Sequence, residues 1–207
     1  MSNTVITIAR SYGSGGRAVG KLLAEKMNIE YYDRNLIYLA SAKSGMNAEF
    51  LSQHDEYVKK NLFEKLSGAF LPNDIPPESR KFSSRENIFH FQSKIIRELA
   101  AKSDCVMIGR CANYILKNHG YNPVRVFVWA PEEQCIKTVM EKFSITRTEA
   151  IRTINDINKH RREYYKYYTG NDWDSAKNYD LCINTEDYDF DSAAELIRRY
   201  ASITDNK

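Results

Sequence analysis

Val5-Ile-Thr-Ile-Ala-Arg-Ser-Tyr-Gly-Ser-Gly-Gly-Arg-Ala-Val-Gly20 is the stretch whose reading decides the architecture of this chain. Val5–Ala9 is a short apolar run, the pattern of a buried strand, and it ends in a turn with glycine at 13, 15 and 16. Beyond the turn Val19, Leu22, Leu23 and Met27 recur at helical spacing, which predicts a helix over about 17–27. Ile29–Tyr32 reads as a second short strand, ending at Asp33. Strand, glycine turn, helix, strand is the opening of a parallel βαβ unit.

Three further apolar runs, Cys105–Ile108, Val124–Trp129 and Tyr179–Asn184, read as buried strands. Residues 34–103 read as mostly helical around a loop at Pro72–Pro77, with Ile88, Phe91, Ile95 and Leu99 on one face of the last helix. Pro131 with Glu132 and Glu133 marks a helix start, and Ile136, Val139, Met140 and Phe143 form its buried stripe. A polar helical stretch follows over Thr146–Tyr168, and a closing helix is expected from a capping box at Ser192 and Glu195, with Leu196, Ile197 and Tyr200 turned inward. Five strands alternating with helices predict an α/β class, a doubly wound parallel five-stranded sheet with helices on both faces.

Composition excludes little. The 207 residues suit one domain, and a formal net charge of +3 is too weak a bias to argue for nucleic acid or an anionic membrane. No run approaches the ~18 apolar residues that span a bilayer, and the start lacks a basic region followed by an apolar core, so a cytoplasmic protein is expected. Cys105, Cys111, Cys135 and Cys182 form no C-x-x-C pair and are expected to be reduced core residues. The four histidines show no ligand spacing.

A glycine-rich turn leading from a first strand into a helix presents backbone N–H groups to an anion, and the helix dipole adds to the attraction. Gly13, Ser14, Gly15, Gly16, Arg17 and Ala18 are therefore the candidate phosphate cradle. The pattern G-x-x-x-x-G-K-[ST] is not met, since no G-K-[ST] occurs.

Residues 6–20 resemble the opening of the cytidylate kinase-like branch of the P-loop kinases. Tyr32-Asp-Arg-Asn-Leu-Ile-Tyr38 is similar to the segment where cytidylate kinases carry Asp-Ser-Gly-Ala-Ile-Tyr, and Val106-Met-Ile-Gly-Arg-Cys-Ala-Asn-Tyr114 falls where they carry Gly-Arg-Asp. Arg161-Arg-Glu-Tyr-Tyr165, with Trp173 and Tyr179–Asn184, resembles the lid and closing strand of that branch. The resemblance implies one P-loop kinase domain over 1–207, with an acceptor-binding helical insert at about 41–103 and a lid-like segment at about 144–175. It implies ATP with Mg2+, a nucleoside monophosphate such as CMP or dCMP as acceptor, and small nucleotides as the partners. Asp33 would contact the acceptor or a magnesium-bound water, Arg110 would clamp the acceptor phosphate, and Arg161 and Arg162 (then Arg152) would close over the phosphates.

The departures fall at the chemistry. Gly16, or Arg17 with one inserted residue, stands where the family has its lysine, and the following Ser/Thr is absent. One such charge-stabilising contact is worth about 2.7–4 kcal/mol in the transition state. Arg17 is the first candidate to replace it, with Arg10 and Lys21 behind. Leu39 replaces the arginine after the Ile-Tyr pair, and Ile108 precedes Gly109 where a magnesium-binding acid would sit, so no metal ligand set is identified. Three readings stay open: a nucleoside monophosphate kinase, a P-loop kinase for another small metabolite, and a non-catalytic nucleotide- or anion-binding regulatory protein.

Overall fold

The computed structural model describes residues 3–33 and 85–204. Strands β1 (Val5–Arg10), β2 (Glu30–Tyr32), β3 (Cys105–Ile108), β4 (Val124–Trp129) and β5 (Leu181–Asn184) form one parallel sheet in the order β2-β3-β1-β4-β5. In chain order the described helices are α1 (Gly16–Met27), α2 (Arg85–Lys102), α3 (Ala112–Asn118), α4 (Glu132–Phe143), α5 (Arg147–Thr169) and α6 (Phe190–Thr204). The expected class is what forms. Most of the expected helical insert lies outside the described residues, and α2 is its described end.

The central strands β1, β3 and β4 are mostly apolar and buried because both of their faces are covered. Alternate residues of β1 enter different cores: Val5 and Ala9 meet Cys105, Met107 and Phe127 under α2 and α3. Ile6 and Ile8 meet Val106, Ile108 and Val126 under α1 and α6. A third cluster joins α4 to α5 through Ile136, Val139, Ala150 and Ile154, and takes in Tyr12 of the glycine turn.

Two details of the last helix differ from expectation. It begins at Phe190, where Asp189 accepts from the Ser192 N–H at 2.6 Å, while Glu195 pairs with Arg198 and Arg199. Its buried stripe is Ala193, Ala194, Ile197 and Ala201, and Leu196 is exposed, because alanines let α6 lie close to α1. The reciprocal capping box stands instead at Thr146 and Glu149, at the start of α5. Cys105, Cys111 and Cys135 are buried, and Cys182 is exposed on the edge strand β5.

Candidate active site

β1 lies at the sheet centre, and its carboxyl end is where an open α/β sheet binds ligands. The glycine turn stands there, stitched to its surroundings. Ser11 N–H donates to the Val128 carbonyl at 3.0 Å, and the Ser14 hydroxyl lies 2.9 Å from the Ser11 carbonyl and 3.1 Å from that of Val128. Thr185, just past β5, donates to the Ser14 carbonyl at 2.7 Å. Ser14 is thus a buried brace, its hydroxyl turned into the body.

Gly13 has φ +89°, and a Cβ there would lie 2.8 Å from the Cys135 carbonyl oxygen, so both backbone conformation and space require glycine. Gly15, at φ +77°, is the N-cap of α1, and no side chain caps that end. No acid occupies the first turn either. The first N–H groups of a helix lack intrahelical acceptors, so this terminus leaves backbone donors that an anion could use.

A cavity of about 480 Å3 opens on the cradle. Gly13, Gly15, Gly16, Arg17 and Ala18 line one wall, joined by Arg10 and Arg161, and α4 faces them with Thr138, Val139, Lys142 and Phe143. Arg10 and Arg161 are 4% and 2% exposed. Arg161 donates from Nη1 to the Arg10 carbonyl at 2.7 Å, and its guanidinium lies 5.7 Å from the Tyr12 ring centroid. The Tyr12 N–H in turn donates to Asn158 of α5 at 2.9 Å. Two residues of α5 therefore grip the strand end and the turn, and the expected lid-like segment meets the body at Arg161.

Arg17 forms a two-pronged ion pair with Asp33, Nε to Oδ2 at 2.8 Å and Nη2 to Oδ1 at 3.1 Å. The glycine turn and the second strand end are thereby joined through charge. Arg110, 4% exposed, follows β3 in a run of left-handed residues: Gly109 φ +72°, Arg110 φ +61°, Cys111 φ +55°. Such backbone costs about 1–3 kcal/mol per non-glycine residue and persists only where packing fixes it. Burial first, opposed by Tyr164 and Asp33 and reinforced by Arg10 and Arg17, pushes the Arg110 guanidinium down to about 10. It keeps its charge at neutral pH in a setting that disfavours that charge.

The structure thus brings Arg17, Asp33 and Arg110 to one edge, with Arg161 on the cavity that opens on the glycine turn. Arg162 and Arg152 are exposed and do not line that cavity, and Lys21 is solvated beside Glu25 at 3.7 Å. Sequence reading passed over Lys142 and Phe190, assigned Phe143 to the core alone, and ranked Arg10 low. The spacing of Thr138, Val139, Lys142 and Phe143 was the available signal for a single helix face. Among the described residues no three His, Cys, Asp or Glu side chains converge as a metal site, and no helix is long and apolar enough to cross a membrane.

The sequence profile of the cytidylate kinase-like family matches residues 5–187. The chain belongs to that family. This cytidylate kinase-like protein is 25% identical over 201 residues to the cytidylate kinase of Methanococcus aeolicus, covering 94% of this chain and 96% of that one. It is 26% identical over 199 residues to the cytidylate kinase of Staphylothermus marinus, covering 95% of each. Its fold is similar to that of an uncharacterized protein from Eubacterium ventriosum, with a TM-score of 0.68, 25% identity, and coverage of 97% and 99%. The shikimate kinase of Acinetobacter baumannii shares the fold at a TM-score of 0.51 and 17% identity, covering 99% of this chain and 95% of that one. The family member described here has the P-loop kinase fold.

Proposed function

We propose that this chain transfers the γ-phosphoryl group of ATP to a nucleoside monophosphate such as CMP or dCMP. The observation that carries the reading is the convergence of Arg10, Arg17 and Arg161 with the uncapped start of α1 on one cavity. Two of these guanidiniums are buried at the cavity wall, and cations beside a helix N-terminus favour an anion there.

Phosphoryl transfer asks a protein mainly for positioning and charge neutralisation. The backbone N–H groups of Gly15, Gly16, Arg17 and Ala18 would hold the donor phosphates, and Arg161, fixed by the Arg10 carbonyl, would neutralise charge on the transferred group. Arg17 stands in for the missing lysine and exchanges Asp33 for phosphate oxygens when the nucleotide binds. Arg110 would take the acceptor phosphate, and Arg162, if it contributes, does so only from an outer position. Mg2+ takes one or two carboxylates together with phosphates and waters, and Asp33 is the carboxylate that Arg17 holds at this edge. Bound Mg2+ would supply neutralisation of the phosphate charge there.

A coupled ADP-release assay with ATP and Mg2+ against nucleoside monophosphates and small hydroxylated metabolites tests this. Saturable turnover with CMP or dCMP is expected, falling about 10²–10³-fold in Arg17→Ala. Turnover confined to a non-nucleotide acceptor, or ATP binding with no turnover on any acceptor, would sink it.

A further inference from the structure

Gln92 lies on the inward face of α2 and is 2% exposed. Its Oε1 accepts from the Tyr164 hydroxyl at 2.8 Å, which leaves Nε2 as the other end of the amide. That Nε2 is buried and has no hydrogen-bond partner among the described residues. An unmatched buried donor is costly, and native proteins keep few of them.

The amide is linked to Arg110 through Tyr164. Tyr164, whose hydroxyl donates to the amide, is also the neighbour that most favours the charged form of Arg110. Tyr164 belongs to a half-buried group of rings: Phe89, one turn before Gln92 on α2, stacks on Tyr168 at 4.1 Å and 5° and meets Tyr164 edge-on at 6.5 Å. Tyr164 and Arg161 are three residues apart on α5, so one side of this helix serves both the phosphate cavity and the amide. A buried amide donor held by the Tyr164 hydroxyl, in an aromatic setting and tied through that tyrosine to the Arg110 guanidinium, matches a planar heterocycle that carries adjacent acceptor atoms and a phosphate.

Resting on the reading of Arg110 as the acceptor-phosphate residue, we propose that Gln92 is a specificity residue. It donates from Nε2 to the acceptor edge of the base of a nucleoside monophosphate, and Tyr164 is the positioning residue that holds the amide in that orientation. The O2 and N3 atoms of cytosine present such an edge, whereas uracil carries a donor at N3.

Calorimetric titration of CMP, UMP and AMP into the wild-type protein, Gln92→Leu, Tyr164→Phe and the double variant tests this, with ATP titrated as control. CMP affinity is expected to fall about tenfold in Gln92→Leu and about threefold in Tyr164→Phe, with no further loss in the double variant. ATP affinity stays within about twofold. Should Gln92→Leu fail to fold, Gln92→Glu keeps the acceptor for Tyr164 and removes the donor, with the same loss expected. Equal CMP affinity in the wild type and the variant overturns the proposal, the amide then being a merely buried group. Wild-type turnover with base preference unchanged in Gln92→Leu overturns it while leaving the kinase reading intact. A wild type that binds no nucleoside monophosphate overturns it together with the acceptor reading.

Discussion

The glycine turn and the Arg110 edge lie side by side at the carboxyl ends of neighbouring strands, yet they are built by opposite means. The turn is local: backbone N–H groups of consecutive residues, glycine where the chain needs φ > 0, and one helix terminus. The edge is assembled from distant parts, with Asp33 after β2, Gln92 on α2, Arg110 after β3 and Tyr164 on α5. A backbone cradle binds any phosphate of suitable shape, whereas an edge made of side chains can discriminate. The Arg17–Asp33 pair is the link between the two.

The largest effect expected from separating them comes at Gly13. A Cβ there would meet the Cys135 backbone while holding a left-handed φ, so Gly13→Ala should cut ATP affinity by more than about 100-fold and lower the melting temperature. CMP affinity should stay near the wild-type value in calorimetry, and an equal loss of CMP binding would show that the two sides are not separable. Arg110→Met is the converse, with CMP affinity down about 10–100-fold and ATP binding kept. Because burial and two neighbouring arginines disfavour the Arg110 charge, the ligand-free variant should melt roughly 2–4 °C higher by scanning calorimetry. A lower melting temperature would mean that the guanidinium stabilises the fold.

The smallest effect is a pH dependence comparing the two faces of the sheet. Burial, and then the Asp33 charge, raise the Tyr31 phenol to about 12, and burial raises Tyr165 to about 12 on the other face. Both folded values exceed the ordinary value of 10.0, so their contribution is complete below about pH 10 and is lost as pH rises through 10 towards 12. Urea unfolding between about pH 9 and 11 should show this fall, shallower in Tyr31→Phe and in Tyr165→Phe.

Much of this was legible in advance. The strands emerged from apolar runs ended by turns, and α4 emerged from proline, acids and periodicity, since these signals arise within a few residues. The family's motifs pointed to Asp33, Arg110, Arg161 and Arg162, the last of which the fold leaves exposed, and Arg17 was singled out where the family's lysine is missing. Gln92 escaped because a polar residue between Phe91 and Ser93 reads as surface until α5 is packed against it. Likewise the apolar Leu196 read as core until the sheet gave that face of α6 to alanines.

By itself, the sequence determined the α/β class and the glycine-rich turn of residues 13–16 that leads into α1, because each is a matter of neighbouring residues and backbone stereochemistry. Tertiary structure alone decided which cations stand at the cradle: Arg161 buried against Arg10, Lys142 across the cavity, Arg162 and Lys21 left in solvent. A side chain's charge is written in the chain. Its distance from another charge 151 positions away is fixed only when the core has packed.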